Sequence, residues 1–220
     1  MLLRTAEFRP PWWLRGAHAQ TLWPALLRPR PPLVLRRERL ELADGDFLDL
    51  DWCGGDTGPL VMVLHGLEGS SDSGYARGLL AAATRRGWRG VVLQSRGCSG
   101  TPNRLAKSYC AGDTGDLEHV VGLLRRREPH APLAVVGYSL GANVLLKWLG
   151  EQSRAVELAA AVAVSVPFLL ERAARRLGQG LSRFYQWYLL RACKASYRAK
   201  FAYRDDAPVA PGQLRAIRDF

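Results

Sequence analysis

The sequence predicts an α/β domain built on a doubly wound, mostly parallel sheet, and three observations carry that expectation. Short apolar segments recur at Leu60 to Leu64, Gly90 to Leu93, Leu133 to Gly137 and Ala159 to Val166. Wholly apolar, β-branched runs of this length fit strands covered on both faces. Helical patterns alternate with them, and right-handed crossovers then lay helices on both sides of the sheet. Finally, a Gly-x-Ser-x-Gly turn stands where one such strand meets the next helix. A chain of 220 residues fits one domain of this kind, spanning 1–220.

The elements follow in order. Residues 9–32 are rich in Pro, Trp and Arg, as in PPWWLRGAHAQTLWP, and the arm 1–32 that holds them reads as irregular and wrapping the domain. Leu33 to Leu42 and Phe47 to Trp52 read as strands joined by Ala43-Asp44-Gly45-Asp46, since Asp-Gly between alternating segments signals a hairpin. A helix is expected from about Tyr75 to Arg86, after the Leu60 to Leu64 strand and the loop His65 to Gly74. The strand Gly90 to Leu93 runs into the loop SRGCSGTPN. The helix from Thr114 to Arg127 takes Asp113 as its N-cap and Leu117, Val120, Val121 and Leu124 as its apolar face. A further helix runs from Gly141 to about Leu149, and Ala159 to Val166 reads as a buried strand. Phe168 to Tyr203 is helical and rich in Arg and aromatics, an excursion above the sheet read as a cap over 168–205.

Composition narrows the function. Hydrophobic residues make up 48% and charged residues 23%, which is globular rather than disordered. The net charge of +11 raises a nucleic-acid partner as one reading. The basic residues are spread along the chain, however, and no helix-turn-helix, RNP or zinc-finger pattern accompanies them, so they read as a solvated surface. Cys53, Cys98, Cys110 and Cys193 form no CxxC pair and no cluster with histidines, so reduced thiols are expected, with no metal and no cofactor. The start lacks the apolar core of a signal peptide. Leu158 to Leu170 is too short to span a bilayer and contains Pro167, so a cytoplasmic protein is expected.

The chemistry lies in Gly137-Tyr138-Ser139-Leu140-Gly141. Between a strand and a helix this is the nucleophile elbow of α/β hydrolases, in which a sharp turn presents Ser139 Oγ above the carboxyl edge of the sheet. The oxyanion hole takes one backbone N–H from the residue after the nucleophile and one from the loop after the third strand, here Leu140 and Leu67. His65 precedes the nucleophile and is assigned to bracing that loop by hydrogen bonding.

The segments HGLEGSSDS-Y, SRGCSGTPNR, GYSLGANVL and the N-terminal AHAQT resemble the YheT-like family of α/β hydrolases, related to the ABHD esterases and lipases. The resemblance runs from about Phe8 to Phe220. It implies a serine carboxylic-ester hydrolase with a triad in the order Ser, Asp, His, in which Ser139 is the nucleophile. The Asp and His of the family fall on later segments than any found here. The chain is therefore expected to be the N-terminal portion of the enzyme and to be inactive alone. The alternative is a truncated product or pseudoenzyme that binds a ligand or partner without turnover. His18, His119 and His130 all precede Ser139 and read as structural, and Asp205 and Asp206 read as a solvated loop pair. Arg96 and Cys98 follow a strand at the carboxyl edge and lie within reach of the site, but no base is assigned to Cys98. The expected substrate is a small-molecule acyl ester of lipid type, with peripheral membrane contact at most.

Overall fold

A computed structural model of the chain describes residues 6–152, 157–202, 204–210 and 212–219. Its sheet holds β1 (Arg36–Glu41), β2 (Phe47–Cys53), β3 (Leu60–Leu64), β4 (Arg89–Gln94), β5 (Leu133–Tyr138) and β6 (Ala160–Val164). They lie in the order β1-β2-β4-β3-β5-β6. β3 to β6 run parallel, whereas β2 is antiparallel to both β1 and β4. The β1–β2 hairpin turns on Gly45, whose φ of +84° suits glycine, and the Leu42 and Asp46 main chains close the turn.

Helices cover both faces. α2 (Gly74–Thr84) buries Ala76 and Leu80 against Val63 and Val92 on one side. α3 (Gly115–Arg127) and α4 (Leu140–Glu151) pack on the other, where Leu117, Val120, Val121, Leu124 and Leu145 meet Leu48, Leu64, Val91 and Leu93. Every residue of β3 and β4 is buried, which is why Leu60 to Leu64 and Gly90 to Leu93 read as apolar runs. Arg89 and Gln94 at the β4 ends are buried with the partners Glu128 and Asp51. The α3 apolar face is the one expected. Its N-cap, however, is Thr114 rather than Asp113. Asp113 ion-pairs with Lys107 at 2.6 Å and reaches the helix only through the Gly115 N–H at 3.3 Å.

Three further expectations change. The segment read as irregular holds a 3-10 turn, Trp12–Leu14, and the helix α1 (Ala17–Leu26). Pro24 stands inside α1 and offers no N–H to the Gln20 carbonyl, so one bond of the ladder is missing near the helix's end. The segment Ala159 to Val166 does form β6, but Ala160, Ala161 and Val162 are exposed. β5 pairs one side of β6, and among the described residues no strand pairs the other, so this strand is a sheet edge rather than a buried interior one. The segment after β6 divides into α5 (Leu170–Leu177) and α6 (Ser182–Phe201), separated by a turn in which Gly180 has φ +52°. Tyr203, taken as the end of the helical excursion, lies outside the described residues.

Candidate active site

The turn between β5 and α4 holds Ser139 at φ +51°, ψ −114°. A non-glycine residue there carries backbone strain of about 1–3 kcal/mol, which persists only where its surroundings dictate the conformation. They do so from three sides. The Ser139 N–H donates to Val164 O on β6 at 2.9 Å, and its carbonyl accepts the Asn143 N–H that opens the α4 ladder. The flanking glycines leave no room for a side chain. A Cβ on Gly137 would sit 2.6 Å from Ala142 Cα, and one on Gly141 would sit 2.5 Å from both the Leu64 and His65 carbonyl oxygens. Strand, turn and helix are thus pressed together, with Ser139 at the carboxyl end of β5 and the amino end of α4.

The loop after β3 lies directly against this turn. A Cβ on Gly66 would stand 3.2 Å from Ser139 Cβ and 3.8 Å from its Oγ. Gly66 to Gly69 form a turn closed by the Gly69 N–H on Gly66 O at 2.9 Å, with Leu67 and Glu68 in the middle and Glu68 at φ +51°. Among the described residues neither the Leu67 nor the Leu140 N–H is engaged by another group. Tyr75 Oη accepts the Gly66 N–H at 3.0 Å, and Tyr109 Oη accepts the Glu68 N–H at 2.8 Å.

His65 has the bracing contacts expected of it. Its Nε2 lies 3.0 Å from the Ser95 N–H and must accept, which leaves Nδ1 as donor to Gly66 O at 2.8 Å. Burial lowers the imidazole pKa, and with both nitrogens engaged the ring is neutral and has no lone pair for Ser139. The other histidines are no closer to the task. His18, on α1, bonds Tyr185 Oη on α6 at 2.8 Å and stacks on its ring. His119 is exposed on α3. His130 is exposed ahead of β5, and six strand residues at about 3.3 Å each separate that end from Ser139.

Arg96 and Cys98 resolve into structural roles. Arg96 is buried and gives its guanidinium to Asp116 through two bonds of 2.8 and 2.9 Å, to Asp44 at 2.7 Å and to Asp46 at 3.0 Å. Burial pushes the Cys98 thiol up to about 12, and the neighbouring Glu68 adds to the shift, so the thiolate is scarce at neutral pH. Asp205 is exposed, and Asp206 is held by Arg204 in a two-bond pair at 2.6 and 2.8 Å. Among the described residues no group of His, Cys, Asp and Glu could hold a metal. The Tyr75, Tyr109 and Glu68 contacts went unread in the sequence. Glu68 and Tyr75 both lie inside the HGLEGSSDS-Y segment, whereas Tyr109 stands outside every segment singled out there.

A doubly wound sheet with antiparallel β2, and a strained serine between its fifth strand and a helix, define an α/β hydrolase. Residues 59–197 match the family described as alpha/beta hydrolase fold, and the chain belongs to it. It is 43% identical to YheT of Escherichia coli strain K12 over 219 residues, covering 97% of this chain and 64% of that protein. It is 30% identical to human phospholipase ABHD3 over 201 residues, covering 87% of this chain and 49% of that protein. The chain thus spans less than two thirds of these relatives. In fold it resembles the Pyrococcus furiosus esterase Pf2001, with a TM-score of 0.56 at 22% identity over 74% of this chain and 63% of that one. No helix among the described residues is long and apolar enough to cross a membrane.

Proposed function

We propose that the chain carries the nucleophile and oxyanion hole of a serine carboxylic-ester hydrolase. The observation that carries this reading is the strained Ser139 turn, walled by Gly137, Gly141 and Gly66. In the reaction Ser139 Oγ bonds to the ester carbonyl carbon as a base removes its proton. The carbonyl electrons move onto oxygen, where the Leu67 and Leu140 N–H groups receive them. Collapse expels the alcohol, protonated by the same base, and water then releases the acid from the acyl-serine. No histidine among the described residues suits the role of base, so that group and the acid orienting it are assigned to the intact protein. The test is labelling by a fluorophosphonate probe. Stoichiometric modification of Ser139 in the intact protein is expected, and labelling that persists in Ser139→Ala would remove the assignment. The four histidines also favour a second reading, a chain that binds a ligand without turnover, for which the intact protein stays unlabelled.

The substrate proposed is an acyl ester of lipid type. ABHD3 is named a phospholipase. In this chain the segment from Phe168 to Phe201, taken as the cap, exposes Phe168, Leu169, Leu181, Phe184 and Trp187 and also carries the exposed Arg172, Arg175 and Arg176. Exposed aromatic and apolar groups together with arginine suit an anionic interface. The pocket lined by Leu140, Gly141 and Val144 has a volume of only about 50 Å³, too small to hold an acyl chain. Co-sedimentation with phosphatidylserine vesicles at low salt is expected to exceed that with neutral phosphatidylcholine vesicles severalfold. Equal partitioning would remove the electrostatic part of this proposal.

A further inference from the structure

The loop that carries Leu67 is tied to α6 through one side chain. Glu68 sits at φ +51°, a conformation that glycine adopts freely and other residues adopt at a cost. The backbone therefore has no need of a glutamate there, and what the residue contributes is its carboxylate. One oxygen accepts the Tyr109 hydroxyl at 2.9 Å, while that same hydroxyl accepts the Glu68 N–H at 2.8 Å. Tyr109, from the segment between β4 and α3, thus grips both the main chain and the side chain of one residue. The other carboxylate oxygen accepts the Ser196 hydroxyl from α6. Burial, with Cys98 and Glu68 adding to it, pushes the Tyr109 phenol upward, which keeps its hydroxyl a donor across the working pH range. A second tie holds α6 to the same segment, where Lys200 Nζ donates to Lys107 O at 2.6 Å and Ser108 Oγ at 3.0 Å.

We propose that Glu68 is a positioning residue that couples the seating of α6 to the placement of the Leu67 N–H. With α6 seated, Ser196 and Tyr109 hold the carboxylate, and the turn Gly66 to Gly69 is fixed against Ser139. With α6 displaced, the carboxylate loses one partner and the turn keeps only its Tyr75 and Tyr109 contacts. The oxyanion hole then forms fully only under a closed cap. The inference rests on the reading of Ser139 as nucleophile and Leu67 as oxyanion donor.

The test uses the intact protein, an aryl ester and a fluorophosphonate probe. Removing a whole oxyanion donor costs on the order of 100- to 1,000-fold in turnover, so a donor left in place but unsupported is expected to cost about tenfold or more. Glu68→Gly, which relaxes the backbone and removes only the latch, is expected to lower kcat by that factor with KM little changed. Glu68→Gln retains an acceptor for one hydroxyl and is expected to restore most of the loss. Ser196→Ala is expected to lower kcat in the wild-type background and to have no further effect in the Glu68→Gly background, because the two form one connection. Wild-type kcat in Glu68→Gly, or a Ser196→Ala effect undiminished there, would overturn the coupling. Should Glu68→Gly not fold, Ser196→Ala and Tyr109→Phe carry the test, and wild-type kcat in both would overturn it as well. Failure of the wild type to label removes the nucleophile reading and this inference together. A labelled wild type with an unaffected Glu68→Gly removes the coupling alone.

Discussion

Ester turnover by the intact protein is expected to fall by about a million-fold when Ser139 is replaced by alanine, the scale seen when a triad nucleophile is removed. The substitution takes away one oxygen and keeps the Cβ. The Ser139 N–H bond to Val164 O and the Asn143 N–H bond to Ser139 O are main-chain contacts and survive it. The fold and the proposed Leu67 and Leu140 donors are therefore expected to be unchanged, and the residual rate is expected to report the proposed oxyanion hole alone. Ser139→Gly makes a companion. Glycine occupies φ +51° without the steric cost that serine bears, so this variant is expected to be inactive yet more stable by about 1 kcal/mol. Greater stability with lost activity would mark the turn as strained for function. Steady-state kinetics on a short-chain aryl ester and urea unfolding supply both readings, and turnover within tenfold of wild type in Ser139→Ala would end the nucleophile assignment.

What the sequence discloses and what it hides divide by range. The expected strands Leu60 to Leu64 and Leu133 to Gly137 match β3 and β5 to within a residue, because burial on both faces, complete in β3 and nearly so in β5, leaves an unbroken apolar run. The serine turn was legible for a similar reason, since Gly137, Ser139 and Gly141 act on one another within five residues. β6 misled because composition reports that a segment is apolar and not whether a neighbour covers it. α1 was hidden by the surrounding Pro, Trp and Arg. The connections around the site were out of reach altogether. Glu68 meets Tyr109 across 41 residues and Ser196 across 128, and no local periodicity encodes such a pairing. Arg96 stands at the carboxyl edge as expected, yet its partners Asp44 and Asp46 come from the hairpin 52 and 50 residues upstream.

Those partners make Arg96→Ala the most destabilising substitution expected outside the elbow. The Arg96 side chain is 4% exposed and the Asp46 side chain fully buried, and the one guanidinium serves Asp44, Asp46 and Asp116 together. Removing one partner of a buried pair typically costs about 3–5 kcal/mol, because the charge left behind has neither water nor a counter-ion. Burial by itself would raise the Asp46 carboxyl. Hydrogen bonds from Asn103, the Arg104 and Phe47 N–H groups and Arg96 outweigh it and hold the group below its ordinary value. A depressed carboxyl contributes stability that is present above its unfolded pKa, near 4, and lost as pH falls through the folded value. Without Arg96 the folded value rises, so the variant gains less from that ionisation than the wild type does. Its deficit is therefore expected to be full at pH 7 and to narrow toward pH 3.5, where protonation relieves the unpaired carboxylate. Arg96→Lys, a point charge that cannot reach three carboxylates at once, is expected to fall between the two. Urea unfolding of the intact proteins across this range decides the matter. A deficit under about 1 kcal/mol at pH 7, or one that does not change with pH, would mean that Arg96 is not what neutralises the hairpin acids.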